Sequence, residues 1–343
     1  MRDGRLLAWV LADPSRAQQL DHAAWTEILS MAHAEKLLGS LAAQLKGQTV
    51  PAAAQNVLKR ARLATDNERQ IALWEAEMAR RALAPLGITP ILLKGAALAA
   101  AGVSAATGRH IGDLDILVPR DRLEEAEAAI LAAGWEWAKP DPYDDLYYRR
   151  WMHELPPMIH RERDRMIDVH HTILPLTTRQ TPDAEALVSG ARKLECGLSV
   201  LAPEDMIIHA VAHLFADGDL QGGLRNLWDI DRMILEFSAV PDFWLRLKAR
   251  AQRHQLSIHL ARALRLCHHI FETPVEGALA GDARKADVFY VGKLLARNGW
   301  GQETRKLLAF AFYIRSHWIR MPPLLLMRHL WTKWWREKGT AKP

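Results

Sequence analysis

Residues 91–118, ILLKGAALAAAGVSAATGRHIGDLDILV, govern the reading of this chain. The apolar run at 91–93 suits a buried strand, and Lys94-Gly95 ends it where a glycine backbone can turn tightly and approach a ligand closely. Residues 96–101, nearly all alanine, predict a short helix. After Gly108 and Arg109 the chain becomes extended again, and IGDLDILV sets Asp113 and Asp115 two residues apart in an otherwise apolar strand. Strand alternation puts both carboxylates on one face. Two anions in a core strand repel each other and lose hydration, so a bare pair is costly. A divalent cation removes that objection, because convergent carboxylate oxygens, with phosphates completing the shell, are what Mg²⁺ accepts. Further along, Asp168 lies between apolar Ile167 and Val169, an odd place for a carboxylate unless it points back toward that pair. His170 shares its face by alternation, whereas His171 faces away.

Taken in order, Gly95 opening a helix, Asp-x-Asp on the next strand and a lone Asp on a later strand resemble the nucleotidyltransferase superfamily related to DNA polymerase beta. The chain is more similar still to the bacterial uncharacterised nucleotidyltransferase family, whose pattern runs Leu-Lys-Gly, then Arg, then Asp-hydrophobic-Asp closed by hydrophobic residues and Val. Here the pattern is Leu93-Lys94-Gly95, Arg109, Asp113-Leu114-Asp115-Ile116-Leu117-Val118, followed by Gly134-Trp135 and Ile167-Asp168-Val169-His170. The similarity extends to a helical N-terminal third and to the later segment PEDMIIHAVAHL, and so covers most of the chain. It implies an α/β (α+β) nucleotidyltransferase core with a mixed sheet over 87–180, flanked by helical regions over 1–86 and 181–343. It also implies transfer of a nucleotidyl group from a nucleoside triphosphate to an acceptor hydroxyl, with release of pyrophosphate. On this resemblance Asp113, Asp115 and Asp168 hold Mg²⁺ or Mn²⁺, Asp168 helps deprotonate the acceptor, and Lys94, Gly95 and Arg109 hold the phosphate tail. One residue departs from the wider superfamily, where Gly or Ser commonly follows the turn glycine. This chain has Ala96, which leaves room for close approach but offers no hydroxyl.

Composition sets outer limits. The 343 residues are 49% hydrophobic and 25% charged, an ordinary globular balance with ample material for a core. Two cysteines, Cys196 and Cys267, exclude a disulfide framework or a four-cysteine zinc site and favour a reducing, cytoplasmic compartment. LLAWVLA is too short for a signal peptide, and no apolar run is long enough to span a bilayer. The formal charge of +5 suits a phosphate-bearing ligand only loosely.

Hydrophobic spacing predicts helices from residue 6 to about 81, broken before Pro51, with Pro85-Leu86-Gly87 leading into the first core strand. Residues 120–134 predict a helix with Asp121 as cap and Gly134 as stop. Residues 135–137 predict a strand, and DLYYRRW, LPPMIH and MIDVHHTI three successive extended segments. From Pro182 onward the pattern is helical. His209 and His213 lie four apart on one helical face, but Ala210 stands where the zinc-protease pattern requires Glu. Asp229 and Asp231 suit salt bridges or caps near the cleft. In the tail, Trp318, Trp331, Trp334 and Trp335 alternate with Arg315, Arg320, Arg328, Lys333, Arg336 and Lys338. That pattern suits either peripheral attachment to an anionic membrane or an acidic partner, or a closing helix packed on the domain. Two alternatives to an enzyme stay open on sequence alone: a non-catalytic nucleotide-binding or regulatory module of the same fold, and a helical scaffold docking on a partner. Charge repulsion within the acidic pair further predicts that Asp113→Asn or Asp115→Asn leaves the metal-free protein as stable as before, or more so.

Overall fold

The computed structural model describes residues 3–215 and 218–320. Its centre is one seven-stranded sheet built from β1 (Ile91–Leu92), β2 (Leu114–Leu117), β3 (Trp135–Trp137), β4 (Met158–His160), β5 (Met166–His170), β6 (Arg192–Lys193) and β7 (Ser199–Val200), in the order β3-β4-β5-β2-β1-β7-β6. The sheet is mixed. β2 runs parallel to β5 and antiparallel to β1, and β1 runs parallel to β7. Every residue of β2 is buried. A strand covered on both faces reads as a continuous apolar run, and Asp115 is the one carboxylate inside it. The α/β architecture with flanking helices is the one the sequence implied.

The helix Ala52–Leu83 begins directly after Pro51, whose fixed φ suits a helix entry, and ends at a turn in which Gly87 adopts φ +68°. It buries a stripe that includes Ala54, Leu58, Ala72, Ala76, Ala79 and Leu83, and packs against the helices Leu38–Gln44, Lys94–Ala101 and Leu123–Ala132. The helix Leu38–Gln44 meets the turn at Gly108 so closely that a Cβ on Gly39 would collide with the Gly108 carbonyl. Only glycines permit that approach.

On the other side in sequence, the helices Pro203–Phe215, Gly223–Phe237, Phe243–Arg253 and Ser257–Phe271 pack on one another. Glu204 and Asp205, in the first turn of theirs, do more than complement the helix dipole: they accept from Arg246 at 2.7 Å and Arg250 at 2.5 Å. The helix Arg5–Ala12 lies on Ser257–Phe271, and Arg16 pairs with Glu272 while Arg297 pairs with Glu35. N-terminal and C-terminal helices therefore close on each other around a shared core.

Three local expectations are corrected. Residues 145–151 are not extended but lie in the helix Pro142–Trp151, because Asp141 caps the N–H groups of Tyr143 and Asp144 and Asp145 pairs with Arg149 one turn on. The region after Pro182 is not wholly helical, since β6 and β7 form a hairpin that extends the sheet beside β1. Asp121 makes no cap; a short 3₁₀ turn, Arg120–Arg122, precedes the helix Leu123–Ala132. Of the tail, the helix Lys306–Arg320 is described: Arg315 is docked, donating to the Phe215 carbonyl, while Leu307, Phe310 and Trp318 are exposed. Trp331, Trp334, Trp335, Arg328, Lys333, Arg336 and Lys338 lie outside the described residues. No helix among the described residues is long and apolar enough to cross a membrane.

Candidate functional site

The register of β2 against β5 sets Asp115 opposite Asp168. In-register residues of a parallel pair project to the same face, so the two carboxylates converge. Asp113, two residues before Asp115, joins them from just outside the strand. Oxygen atoms of Asp113, Asp115 and Asp168 all lie within 4.8 Å of one another. Burial grades the three: Asp113 is exposed, Asp168 is half-buried, and Asp115 is 1% exposed.

Asp115 is tied down by Lys94 and His170. Lys94 Nζ donates to its Oδ1 at 2.5 Å, and His170 Nε2 stands 3.0 Å from the same oxygen. Burial alone would push the Asp115 carboxyl up, but the Lys94 charge and these hydrogen bonds hold it well below the usual carboxylate range. Burial likewise opposes the Lys94 ammonium, and Asp115 overrides it and raises its pKa. Asp168 has no such support. Burial first, then the charge of Asp115, push its pKa up to about 7. The expectation that either Asp→Asn change leaves stability intact therefore fits exposed Asp113 only, since removing the Asp115 charge would strand a largely buried ammonium.

Lys94 reaches Asp115 from the end of β1 through a backbone at φ +46°, a left-handed conformation that a lysine adopts at a cost. Gly95 follows, and a Cβ there would collide with the Arg109 guanidinium. Arg109 does not reach the acidic group. It is buried, donating from Nε to Asp229 Oδ2 at 2.9 Å and from Nη1 to the His110 carbonyl at 3.2 Å. Asp229 also accepts from Arg225 at 3.2 Å, and burial, followed by the charge of Arg109, lowers the Arg225 pKa to about 10. Asp231 faces away, bonded to Arg232 and Thr273. Ala96 is packed in the core.

The helices Lys94–Ala101, Pro203–Phe215 and Gly223–Phe237 frame a narrow cleft lined by Lys94, Arg109, His209, His213, Arg225 and Asp229 among others. The acidic group stands outside it, and Lys94 is the link between them. Burial first, and then the Lys94 charge, keep His209 neutral, with its pKa well below the ordinary value.

Sequence reading missed two groups near the site. Glu68, on the long N-terminal helix, accepts from the Ile111 N–H and contacts His110 Nδ1 at 2.9 Å, fixing the turn that delivers Asp113. Glu154 lies 3.3 Å from His170 Nδ1, next to His153. Burial and the charges of Glu154 and Asp168 push the Tyr148 hydroxyl up to about 12. The His153-Glu154 doublet before Leu155-Pro156-Pro157 was the available signal, but nothing local says which strand it joins.

What this arrangement suits is a hard divalent cation beside a cationic pocket: three carboxylates with no nitrogen or sulfur ligand among them, flanked by Lys94 and the Arg109–Asp229–Arg225 group. No curated protein matches the chain. A family described as uncharacterised nucleotidyltransferase matches residues 21–272, a span that takes in the acidic group, the glycine turn, Asp229 and the long N-terminal helix. The chain belongs to that uncharacterised nucleotidyltransferase family.

Proposed function

We propose that this protein transfers a nucleotidyl group from a nucleoside triphosphate to a hydroxyl of an acceptor, with Asp113, Asp115 and Asp168 holding Mg²⁺ or Mn²⁺. The observation that carries the reading is the convergence of these three carboxylates, two of them directly paired across β2 and β5. The donor set fits such an ion: all its ligand atoms are oxygens, and burial first, then the charge of Asp115, disfavour the ionised Asp168, a cost that positive charge relieves. When bound, the ion neutralises the phosphates and stabilises charge developing at the α-phosphorus.

The chain's own residues supply the rest. Lys94 holds Asp115 in place and stands at the mouth of the cleft, where its ammonium can turn to a phosphate oxygen. The helix Lys94–Ala101 presents its first backbone N–H groups at the same point, an arrangement suited to phosphate. Arg109 acts by fixing the Gly95 turn from beneath rather than as a mobile clamp, which its buried pair with Asp229 supports. Asp168, whose pKa burial and the charge of Asp115 raise to about 7, is suited to accept a proton from the acceptor hydroxyl. The cleft beside Lys94 takes the acceptor. Two free cysteines, Cys196 exposed and Cys267 buried, support a reducing, cytoplasmic setting.

Incubation of the protein with α-labelled nucleoside triphosphates, Mg²⁺ and cell extract tests the proposal. Label should move to an acceptor with release of pyrophosphate, and Asp168→Asn should lower turnover far more than nucleotide affinity. Nucleotide binding with no transfer from any of the four triphosphates would favour a binding module instead.

A further inference from the structure

His170 faces two ways. Its Nε2 meets Asp115, while its Nδ1 meets a separate group of donors. Residues 153–155 run antiparallel to the end of β5: the Leu155 N–H donates to the Val169 carbonyl and the His171 N–H to the His153 carbonyl, both at 2.9 Å, and Glu154 bridges to His170. This pairing brings donor atoms of His153, Glu154 and His170 within 4.8 Å of one another. Glu154 Oε2 is 3.3 Å from His170 Nδ1 and 3.7 Å from His153 Nε2. In a tetrahedral site with metal–ligand bonds of about 2.0–2.1 Å, neighbouring donors stand about 3.3–3.5 Å apart. The Glu154–His170 spacing falls in that range, the Glu154–His153 spacing is slightly wider, and all three donors lie close enough for small side-chain rotations to bring them onto one ion.

The chemistry points the same way. His170 is fully enclosed, and its Nδ1 has no hydrogen-bond partner among the described residues. A cation on the Glu154 side would give the buried Nδ1 a partner while Nε2 keeps its contact with Asp115. Metal-bound histidines commonly donate their second nitrogen to a carboxylate in this manner. Both imidazoles are buried, and Glu154 keeps partial exposure, which leaves a path for solvent to a remaining position. Two nitrogens and one carboxylate select a zinc-class ion over Mg²⁺.

We propose that His153, Glu154 and His170 bind a zinc-class divalent cation at a site separate from the acidic group. The site joins the first through His170, whose orientation then fixes Asp115. That consequence rests on the nucleotidyltransferase reading; the site itself does not.

The test is made without nucleotide. In excess Mg²⁺, metal-free full-length protein is titrated with Zn²⁺ by calorimetry and with Co²⁺ followed by visible absorption. One ion per chain should bind, with the strong absorption of low-coordinate cobalt, and Asp113→Asn should leave that spectrum in place. His153→Gln and Glu154→Gln should each weaken binding by more than the roughly 10–100-fold that loss of an outer-shell partner costs. Should a variant fail to fold by circular dichroism, zinc-edge X-ray absorption on the wild type decides alone, with two imidazoles per zinc expected. The proposal is overturned by absence of saturable Zn²⁺ binding in excess Mg²⁺, by an oxygen-only zinc shell, or by a cobalt spectrum lost in Asp113→Asn and untouched in both other variants. None of these results bears on whether nucleotide is bound or transferred.

Discussion

At the scale of single residues, the three carboxylates differ in how they are supported, and that difference is measurable. Asp115 carries the Lys94 ammonium and the His170 ring, so Asp115→Asn should destabilise the metal-free protein by about 3 kcal/mol, the low end for breaking a buried pair, because Lys94 keeps some exposure. Asp113→Asn, at an exposed position, should change it by less than about 0.5 kcal/mol. Urea unfolding in chelator separates the two, and equal small effects would remove the Lys94–Asp115 pair from the account. Asp168 gives a pH signature. Its folded pKa of about 7 lies above its ordinary value of 3.8, so the folded chain binds the extra proton in between. Its contribution to stability is fully present below pH 3.8 and is lost as pH rises through about 7. In chelator, Asp168→Asn should therefore exceed the wild type in stability by about 2–4 kcal/mol at pH 8, with the gap closing toward pH 4. A gap that does not vary with pH would show that Asp168 ionises normally. The acidic residues were legible in the sequence because carboxylates in an apolar strand need a reason to be there. The Lys94–Asp115 pair was not, since it depends on β1 lying beside β2, and neither was the pairing of Arg109 with Asp229, 120 residues away.

At the scale of elements, the strands that carry the site were readable from their apolar runs, and the long helix after Pro51 from its spacing. The errors fell where local and tertiary signals compete. DLYYRRW looks like a strand by its aromatic residues, yet Asp141, Pro142 and the Asp145–Arg149 pair make it a helix. Asp141→Ala should thus cost about 1 kcal/mol, read as a lowered melting temperature, and an unchanged melting temperature would mean that the cap contributes nothing. The hairpin of β6 and β7 has only two residues in each strand, too few for periodicity to register. The N-terminal helices had no visible role in the sequence. Glu68 gives them one, since it holds the turn that delivers Asp113.

At the scale of the molecule, the helices before the sheet and those after it share one buried cluster, and the closest contacts between them involve residues far apart in sequence. Helix Ala52–Leu83 covers the helix that opens at Lys94, while Arg5–Ala12 rests on Ser257–Phe271. We therefore expect the segments 1–86, 87–180 and 181–343 to unfold together in a single thermal transition, and a chain begun at residue 87 to lack cooperative melting. A cooperative transition for 87–343 would show instead that the N-terminal helices are an independent unit.

The central claim is that Asp113, Asp115 and Asp168 form a divalent-cation site that recruits a nucleoside triphosphate. Calorimetric titration of triphosphate into wild type and Asp113→Asn, each with Mg²⁺ and with chelator, tests it most directly, because Asp113 is exposed and its replacement leaves the Lys94–Asp115–His170 contacts in place. The account predicts Mg²⁺-dependent binding to the wild type that Asp113→Asn abolishes; equal Mg²⁺-dependent affinity in the two proteins would contradict it.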